Sequence, residues 1–405
     1  LRTDPHLVAL LINMVPYHHA RWDAFAALGG FRCTVLELAG RDEFPVLEHV
    51  AGITSSYRRQ TLFREASGRS VPNVRISAAV GRALTELRPD VLCVNGYSSI
   101  PSLVALLWAA DHSIPAAICS ESNRFDMDRS PIKEWIKQRV VGFSSAGVAG
   151  GTPQADYLTE LGLPKEAVFA GYDAVDNSHF AMGSETARQR DDELRKELKL
   201  PMNYFIACSR FTEKKNIPRL IEAFALYREQ NSKPEKTWDL VIVGEGELRP
   251  LIENAIRQFG VSHAVHLVGA KPYDALPAYY GLAGAFIHAS TTEQWGLVVN
   301  EAMASGLPIL VSNRCGCAAD LVQEGRNGFT FDPTNVADLA QLMARISAFD
   351  FPLAAFGLMS RQIIARWGPE RFALGMKAAV ECALKTGAKR GSLFDRLLLR
   401  GLIRR

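Results

Sequence analysis

The sequence predicts an α/β protein built from two doubly wound parallel sheets in series. Three observations carry that prediction. Its strand-like runs are continuously apolar, as in strands buried on both faces, rather than alternating. Helix-like segments separate them, the alternation expected of βαβ units. The pattern breaks at a charged stretch, 182–199, centred on Gln189-Arg-Asp-Asp-Glu-Leu-Arg-Lys-Glu197, and then starts again. The stretch reads as a linker leading into a solvated helix. At 405 residues and 48% apolar, the chain can bury two cores of ordinary size. A net charge of +3 argues against a general nucleic-acid binder.

In the first half, Leu7–Ile12 is the opening strand. A loop over Asn13–Ala20 and a helix over about Arg21–Leu28 follow. Further strands are expected at Cys33–Leu38, Val91–Asn95, Ala116–Ser120 and Gly147–Gly150. Gly151-Thr-Pro153 reads as a strand end entering a helix, with Pro near its first turn. In the second half the expected strands are Tyr204–Cys208, Asp239–Val243, Val265–Val268, Ala285–Ala289 and Pro308–Ser312. Helices Ile217–Tyr227, Leu248–Phe259 and Val298–Ser305 lie between them. Ligands of such sheets bind at the carboxyl ends of the strands, here in a cleft between the domains.

The densest chemistry lies in Ser290-Thr-Thr-Glu293-Gln-Trp-Gly296-Leu-Val-Val-Asn-Glu301-Ala-Met-Ala-Ser-Gly306. Glu293 falls in a strand-to-helix loop and Glu301 about one turn into the helix. Gly296 and the free amides of the helix start lie between them and suit a phosphate. One segment thus offers two hydroxyl-binding carboxylates around an anion cradle, a way to hold a sugar diphosphate. A second segment, Ser209-Arg210-Phe-Thr-Glu-Lys-Lys215-Asn216, places Arg210 and Lys215 just after a buried strand. Two fixed cations at a strand end can neutralise a diphosphate leaving group; Lys214 reads as exposed. A third, Val243-Gly244-Glu-Gly246-Glu-Leu, follows a strand and opens a helix, and its glycines allow close backbone approach to a ligand.

Together these segments resemble the family 4 retaining glycosyltransferases (group 1). That family carries a Glu-x7-Glu motif followed by Glu-Ala-Met-Ala-x-Gly-x-Pro, and this chain reads Glu301-Ala-Met-Ala-Ser-Gly306-Leu-Pro308. The family's Gly-Arg-Leu-x-x-x-Lys-Gly segment is matched with Ser209 and Asn216 in the two glycine positions. The resemblance implies the GT-B fold, two Rossmann-like domains facing across a cleft. It implies domains over 1–180 for the acceptor, completed by a returning helix over 366–385, and over 198–365 for the nucleotide sugar. It implies that Arg210 and Lys215 meet the diphosphate, Glu293 the donor sugar and Glu301 the ribose. Gly296, Leu297 and Val298 would donate backbone N–H groups to phosphate. Gly244 and Gly246 would lie near the nucleotide, Lys271-Pro272 would meet the base, and Trp295 would pack structurally. The donor is a nucleoside-diphosphate sugar, with a UDP-sugar the first choice, and neither a cofactor nor a metal is expected.

The first half matches less closely. Where the family often carries a Gly-Gly loop, this chain has Met14-Val-Pro-Tyr-His18-His19-Ala-Arg21. Either histidine can line an acceptor pocket or sit solvated in a loop. Where many members place a His, the chain reads Ile118-Cys-Ser-Glu121-Ser122-Asn-Arg124. Glu121 or Ser122 can stand in for it, Glu121 as a base toward an acceptor hydroxyl or simply as a partner of Arg124. Asp126-Met-Asp128 resembles the metal-binding Asp-x-Asp of the other glycosyltransferase fold but stands in the wrong surroundings. Cys315-Gly-Cys317 lacks a second Cys/His pair at zinc spacing. The scattered cysteines read as small buried hydrophobes in a reducing compartment.

The tail, 386–405, interleaves Leu393, Phe394, Leu397, Leu398, Leu402 and Ile403 with arginines. Such a basic amphipathic helix either lies on an anionic membrane or packs its apolar face on the N-terminal domain. With no secretory signal and no span-length apolar run, a cytoplasmic protein is expected, peripheral at the inner face of a membrane if the tail binds lipid. The resulting reading is a metal-independent retaining hexosyltransferase acting on a glycan, lipid-linked or small-molecule hydroxyl, as in polysaccharide biosynthesis. A nucleotide-sugar 2-epimerase and a non-catalytic sugar-nucleotide binding module remain as alternatives.

Overall fold

The computed structural model describes residues 4–41, 55–67, 70–231 and 237–404. It divides into two compact units, Leu1–Val175 with Trp367–Arg405, and Asp176–Arg366. Each is a parallel α/β sheet of the doubly wound kind.

The first sheet has seven strands: β1 (His6–Leu11), β2 (Arg32–Arg41), β3 (Arg58–Ser67), β4 (Val91–Asn95), β5 (Ala116–Ser120), β6 (Ala146–Ala149) and β7 (Val168–Ala170). Their spatial order is β3-β2-β1-β4-β5-β6-β7, and all pairs are parallel. The second has six: β8 (Tyr204–Cys208), β9 (Asp239–Val243), β10 (Val265–Gly269), β11 (Ala285–His288), β12 (Ile309–Ser312) and β13 (Gly328–Phe331). They run β10-β9-β8-β11-β12-β13, again all parallel. Strand order reverses between β1 and β4 in one sheet and between β8 and β11 in the other. Those are the points where loops on opposite sides of a sheet diverge and leave a crevice.

Central strands form where the sequence is most apolar: β1, β4 and β5 carry leucine, valine, isoleucine, alanine and cysteine side chains with almost no exposure. Three strands that the apolar pattern does not announce, β3, β7 and β13, are all at sheet edges. β3 reads Arg-Arg-Gln-Thr-Leu-Phe-Arg-Glu-Ala-Ser and is at most half-buried, since an edge strand has one neighbour and tolerates polar side chains. The loop expected over Asn13–Ala20 is shorter than predicted. A helix runs over Pro16–Ala27, starting with Pro16 in its first turn, where the missing N–H costs nothing. Likewise, most of the expected linker 182–199 is helical, in Asn177–Gln189 and Asp191–Leu198.

After the second unit the chain returns to the first through a helix, Pro369–Thr386. Its Phe372, Ala373, Met376, Ala379, Val380 and Ala383 are buried in one core with Trp22 and Phe25. The terminal helix, Leu393–Ile403, is not a loose tail. Ser392 caps it by accepting from the Asp395 amide at 3.1 Å. Leu399 is fully buried, and Leu402 and Ile403 pack against the same core as the helix Ile100–His112. Leu399, Leu402 and Ile403 therefore pack on the first unit, as one of the two sequence readings holds, while Leu393, Phe394 and Leu397 stay exposed. Among the described residues no helix is long and apolar enough to cross a membrane.

Because Met376 fills the centre of the returning helix's contact, Met376→Ala should cost the first unit about 2–4 kcal/mol. Calorimetry should show its transition lowered and that of the second unit unmoved. Unchanged melting would mean that the helix contributes no packing there.

Candidate active site

At the carboxyl ends of β8 and β11, where the order of the second sheet reverses, three loops are bound together. The Thr291 amide donates to the Lys214 carbonyl at 2.9 Å, joining the loop after β11 to the loop after β8. The Glu293 amide donates to the Arg314 carbonyl and the Gly316 amide to the Glu293 carbonyl, joining both to the loop after β12. Asn216 fastens the base of this assembly. Its side-chain amide donates to the carbonyls of Ala289 (3.1 Å) and Pro333 (2.9 Å). Its backbone is left-handed, at φ +57°, a conformation asparagine tolerates better than most residues. That explains how Asn216 can occupy a position where the resembling family has glycine.

Glu293 is the centre of the site. Its side chain is only 11% exposed and pairs with three basic groups. Lys215 donates to Oε2, Lys214 donates to Oε1 at 3.2 Å, and Nε2 of His288 lies 3.6 Å from Oε2. Burial pushes the carboxyl pKa up, but the His288 contact and the Lys215 charge outweigh it and hold the group well below the usual carboxylate range. His288 itself is buried and lowered, chiefly by desolvation. Ser290 Oγ lies 3.2 Å from its Nε2. Lys214, expected to be exposed, is therefore a partner of the site, with 38% of its side chain accessible.

Glu301 lies in the helix Leu297–Ala304, buried, with the Tyr280 hydroxyl donating to Oε2 at 2.8 Å. Burial raises its pKa to about 7, and the tyrosine only partly offsets this. Gly296, at φ +107°, caps the helix. That backbone conformation calls for glycine even though a Cβ there would meet nothing closer than 3.5 Å. Leu297 and Val298 open the helix, so their amides have no acceptor within it. Trp295 is buried and donates from Nε1 to Asn300 Oδ1 at 2.9 Å, a packing role.

Arg210 is exposed immediately beyond β8. Gly244 and Gly246 are needed for a different reason from the expected one. A Cβ on Gly244 would lie 1.9 Å from the Ser209 carbonyl oxygen, and one on Gly246 2.7 Å from that of Phe211. The close approach is between two loops of the protein, sealed by the Phe211 amide donating to the Glu245 carbonyl at 2.8 Å. Lys271 lies with Nζ 5.4 Å from the ring centroid of Tyr279, and Pro272 beside it is exposed.

The acceptor-side candidates fall in the first unit. His18 and His19 are both buried on the first helix, so neither is a solvated loop histidine. His19 Nδ1 meets the Tyr57 hydroxyl at 2.8 Å, and burial lowers its pKa to about 4. His18 borders a cavity of about 10 Å³ with Arg21, Asn95 and Tyr172, room for one water. Glu121 and Ser122 follow β5 and are half-buried, while Arg124 pairs with Glu160. Asp126 pairs with Arg129. Cys315 and Cys317 are buried free thiols, and among the described residues no cluster of His, Cys, Asp or Glu could hold a metal.

The family described as glycosyl transferases group 1 matches residues 189–349, the segment that carries this site. Over that segment the chain matches the group 1 glycosyltransferases. Among its relatives is alpha-monoglucosyldiacylglycerol synthase of Acholeplasma laidlawii, 33% identical over 128 residues, 31% of each chain. Another is the GDP-mannose-dependent alpha-(1-6)-phosphatidylinositol monomannoside mannosyltransferase of Mycobacterium tuberculosis, 29% identical over 199 residues, 46% of this chain and 50% of that protein. The matches thus span a third to a half of these relatives' length. In structure the chain is similar to HepE of Anabaena in complex with UDP and glucose, with a TM-score of 0.72 at 17% identity over 92% of this chain and 98% of that one. The fold is GT-B.

The Glu301 carboxyl yields a prediction with a definite sign. Its pKa is raised in the folded chain, so its contribution to stability is full below about pH 4.5 and is lost as pH rises through about 7. Glu301→Gln, neutral throughout, should match the parent near pH 5 and exceed it by about 2 kcal/mol near pH 8. Denaturant titration of both chains at the two pH values measures the difference. An equal difference at both would refute the raised pKa.

Proposed function

We propose that this group 1 chain transfers a hexose-type sugar, with retention, from a nucleoside-diphosphate sugar to an acceptor hydroxyl. The observation that carries the reading is the meeting of Lys215 and Glu293 at the reversal point of the second sheet. A cation suited to a diphosphate and a carboxylate suited to sugar hydroxyls lie within one side chain's reach of each other. Both are beside a glycine-capped helix start.

Without ligand the two satisfy each other. The donor replaces both partners: its diphosphate takes Lys215, joined by Arg210 and the Leu297 and Val298 amides, and its sugar hydroxyls donate to Glu293. Glu301 accepts from the ribose. Gly244, Gly246, Lys271 and Pro272 border the nucleotide. With a UDP-sugar as donor, the bond from the sugar's anomeric carbon to the β-phosphate oxygen breaks while the acceptor oxygen bonds on the same face. The acceptor proton passes to the departing phosphate. Fixed cations and helix-start amides stabilise the growing negative charge, which is the part a divalent cation plays elsewhere, so we propose no metal. On the acceptor side, His18 at the small cavity and Glu121 or Ser122 beyond β5 are the proposed neighbours. Relatives whose names carry diacylglycerol and phosphatidylinositol support a lipid-linked hydroxyl as the acceptor class.

Thermal-shift measurements against UDP-, GDP-, ADP- and dTDP-sugars should single out one donor, since a ligand that binds only the folded state raises its stability. With that donor, Arg210→Ala should lower turnover about 10²–10³-fold while melting like the parent, because Arg210 is exposed. Turnover at the parental rate would sink the assignment.

A further inference from the structure

Two helices of the first unit present a single apolar and basic face. The terminal helix is fixed in orientation by its buried side: Leu399 in the core, Arg396 paired with Asp111, and Arg390 donating to Ser113 Oγ at 2.8 Å just before it. The opposite side is thereby turned outward. It carries Leu393 (74% exposed), Phe394 (56%) and Leu397 (55%), then Arg400 and Arg404 one and two turns further on. On the helix Pro131–Val141, Ile132 (71% exposed), Trp135 (38%) and Arg139 fall on one face at i, i+3 and i+7.

The two stripes adjoin. The Trp135 and Phe394 rings are 5.8 Å apart. Arg139 lies over the Trp135 ring at 5.2 Å and reaches Asp395 at 3.5 Å. The acidic groups nearest to this face are already engaged: Asp395 by Ser392 and Arg139, and Glu134 by Lys137 and the Tyr157 hydroxyl.

We propose that this face docks on an anionic lipid bilayer, with Ile132, Trp135, Leu393, Phe394 and Leu397 entering the interface and Arg400 and Arg404 at the headgroups. Aromatic and leucine side chains set beside long cations are the composition of surfaces that lie in a membrane interface. Charge complementarity selects the occupant. A two-fold pairing of two copies would set this basic face against itself, whereas anionic headgroups neutralise it. The apolar surface continues beyond the two helices. The helix Pro131–Val141 is reached through the loop after β5, in which Phe125 and Met127 are also exposed. That loop begins at the carboxyl end of the first sheet, beside Glu121 and Ser122. Docking does not depend on the donor chemistry.

The test is flotation of the full chain with vesicles of phosphatidylcholine alone and of phosphatidylcholine with phosphatidylglycerol, at low and high salt. Binding should need the anionic lipid and fall with salt. The pair Phe394→Ser with Leu397→Ser, and separately Arg400→Ala with Arg404→Ala, should each weaken it about ten-fold or more. All four side chains are exposed, and melting temperature and donor-induced thermal shift report that fold and donor site are intact. Three results would overturn the proposal: no binding to anionic vesicles, equal binding by both variants, or a parental dimer in sedimentation velocity that the serine pair converts to monomer. Loss of donor binding in the parent would remove the transferase reading and leave docking standing.

Discussion

The second unit is organised around one buried carboxylate and the cations that make its burial affordable. An isolated charge at the depth of Glu293 would cost several kcal/mol; the Lys214 and Lys215 cations pair with it, and the His288 ring lies beside it. Those partners come from two different strand ends, so satisfying the charge also sets the distance between loops. The hydrogen bonds of Thr291, Asn216 and Gly316 hold the same loops by their backbones. Together they give a site whose buried carboxylate is already paired before a ligand arrives. A ligand that enters must offer an anion to the lysines and donors to the glutamate at once, and a molecule that supplies only one of these leaves a buried charge without a partner.

Much of this was legible in the sequence, and the reason lies in burial. Strands flanked on both sides, such as Val91–Asn95 and Tyr204–Cys208, are continuous apolar runs whose ends the sequence marks to the residue. Edge strands β3, β7 and β13 have one neighbour each, so their sequences carry less of that signal. Glu293, Gly296 and Glu301 were readable because short spacing along one segment places them near one another, and Lys215 because it shares a short segment with Arg210 just after a buried strand. A partner from a separate element was not: Tyr280, on the helix Leu276–Gly281, reaches Glu301 only through the fold. A signal did exist for His288. A histidine inside the buried run Ala285-Phe-Ile-His-Ala needs a polar partner, and the nearest candidates were the residues of the following loop.

The first unit shows the opposite balance. Its histidines read as pocket or surface groups, yet His18 and His19 are buried near the start of a helix that begins five residues earlier than the apolar pattern implies. Pro16 carries that information, as a residue favoured in a first turn, and the apolar periodicity does not. The terminal segment was legible as amphipathic, but its sequence alone could not divide the apolar side chains between core and surface. Three-dimensional packing does so: Leu399, Leu402 and Ile403 go inward and Leu393, Phe394 and Leu397 outward.

The return of the chain over 367–405 to the first unit has a consequence for biosynthesis. Residues 176–366 are contiguous and can close their core as soon as they leave the ribosome. The first 175 residues are made earlier but lack the Phe372, Met376 and Val380 side chains that fill one side of their sheet. The half translated first is thus the half completed last, and until release its uncovered sheet face is the part of the nascent polypeptide most in need of shielding.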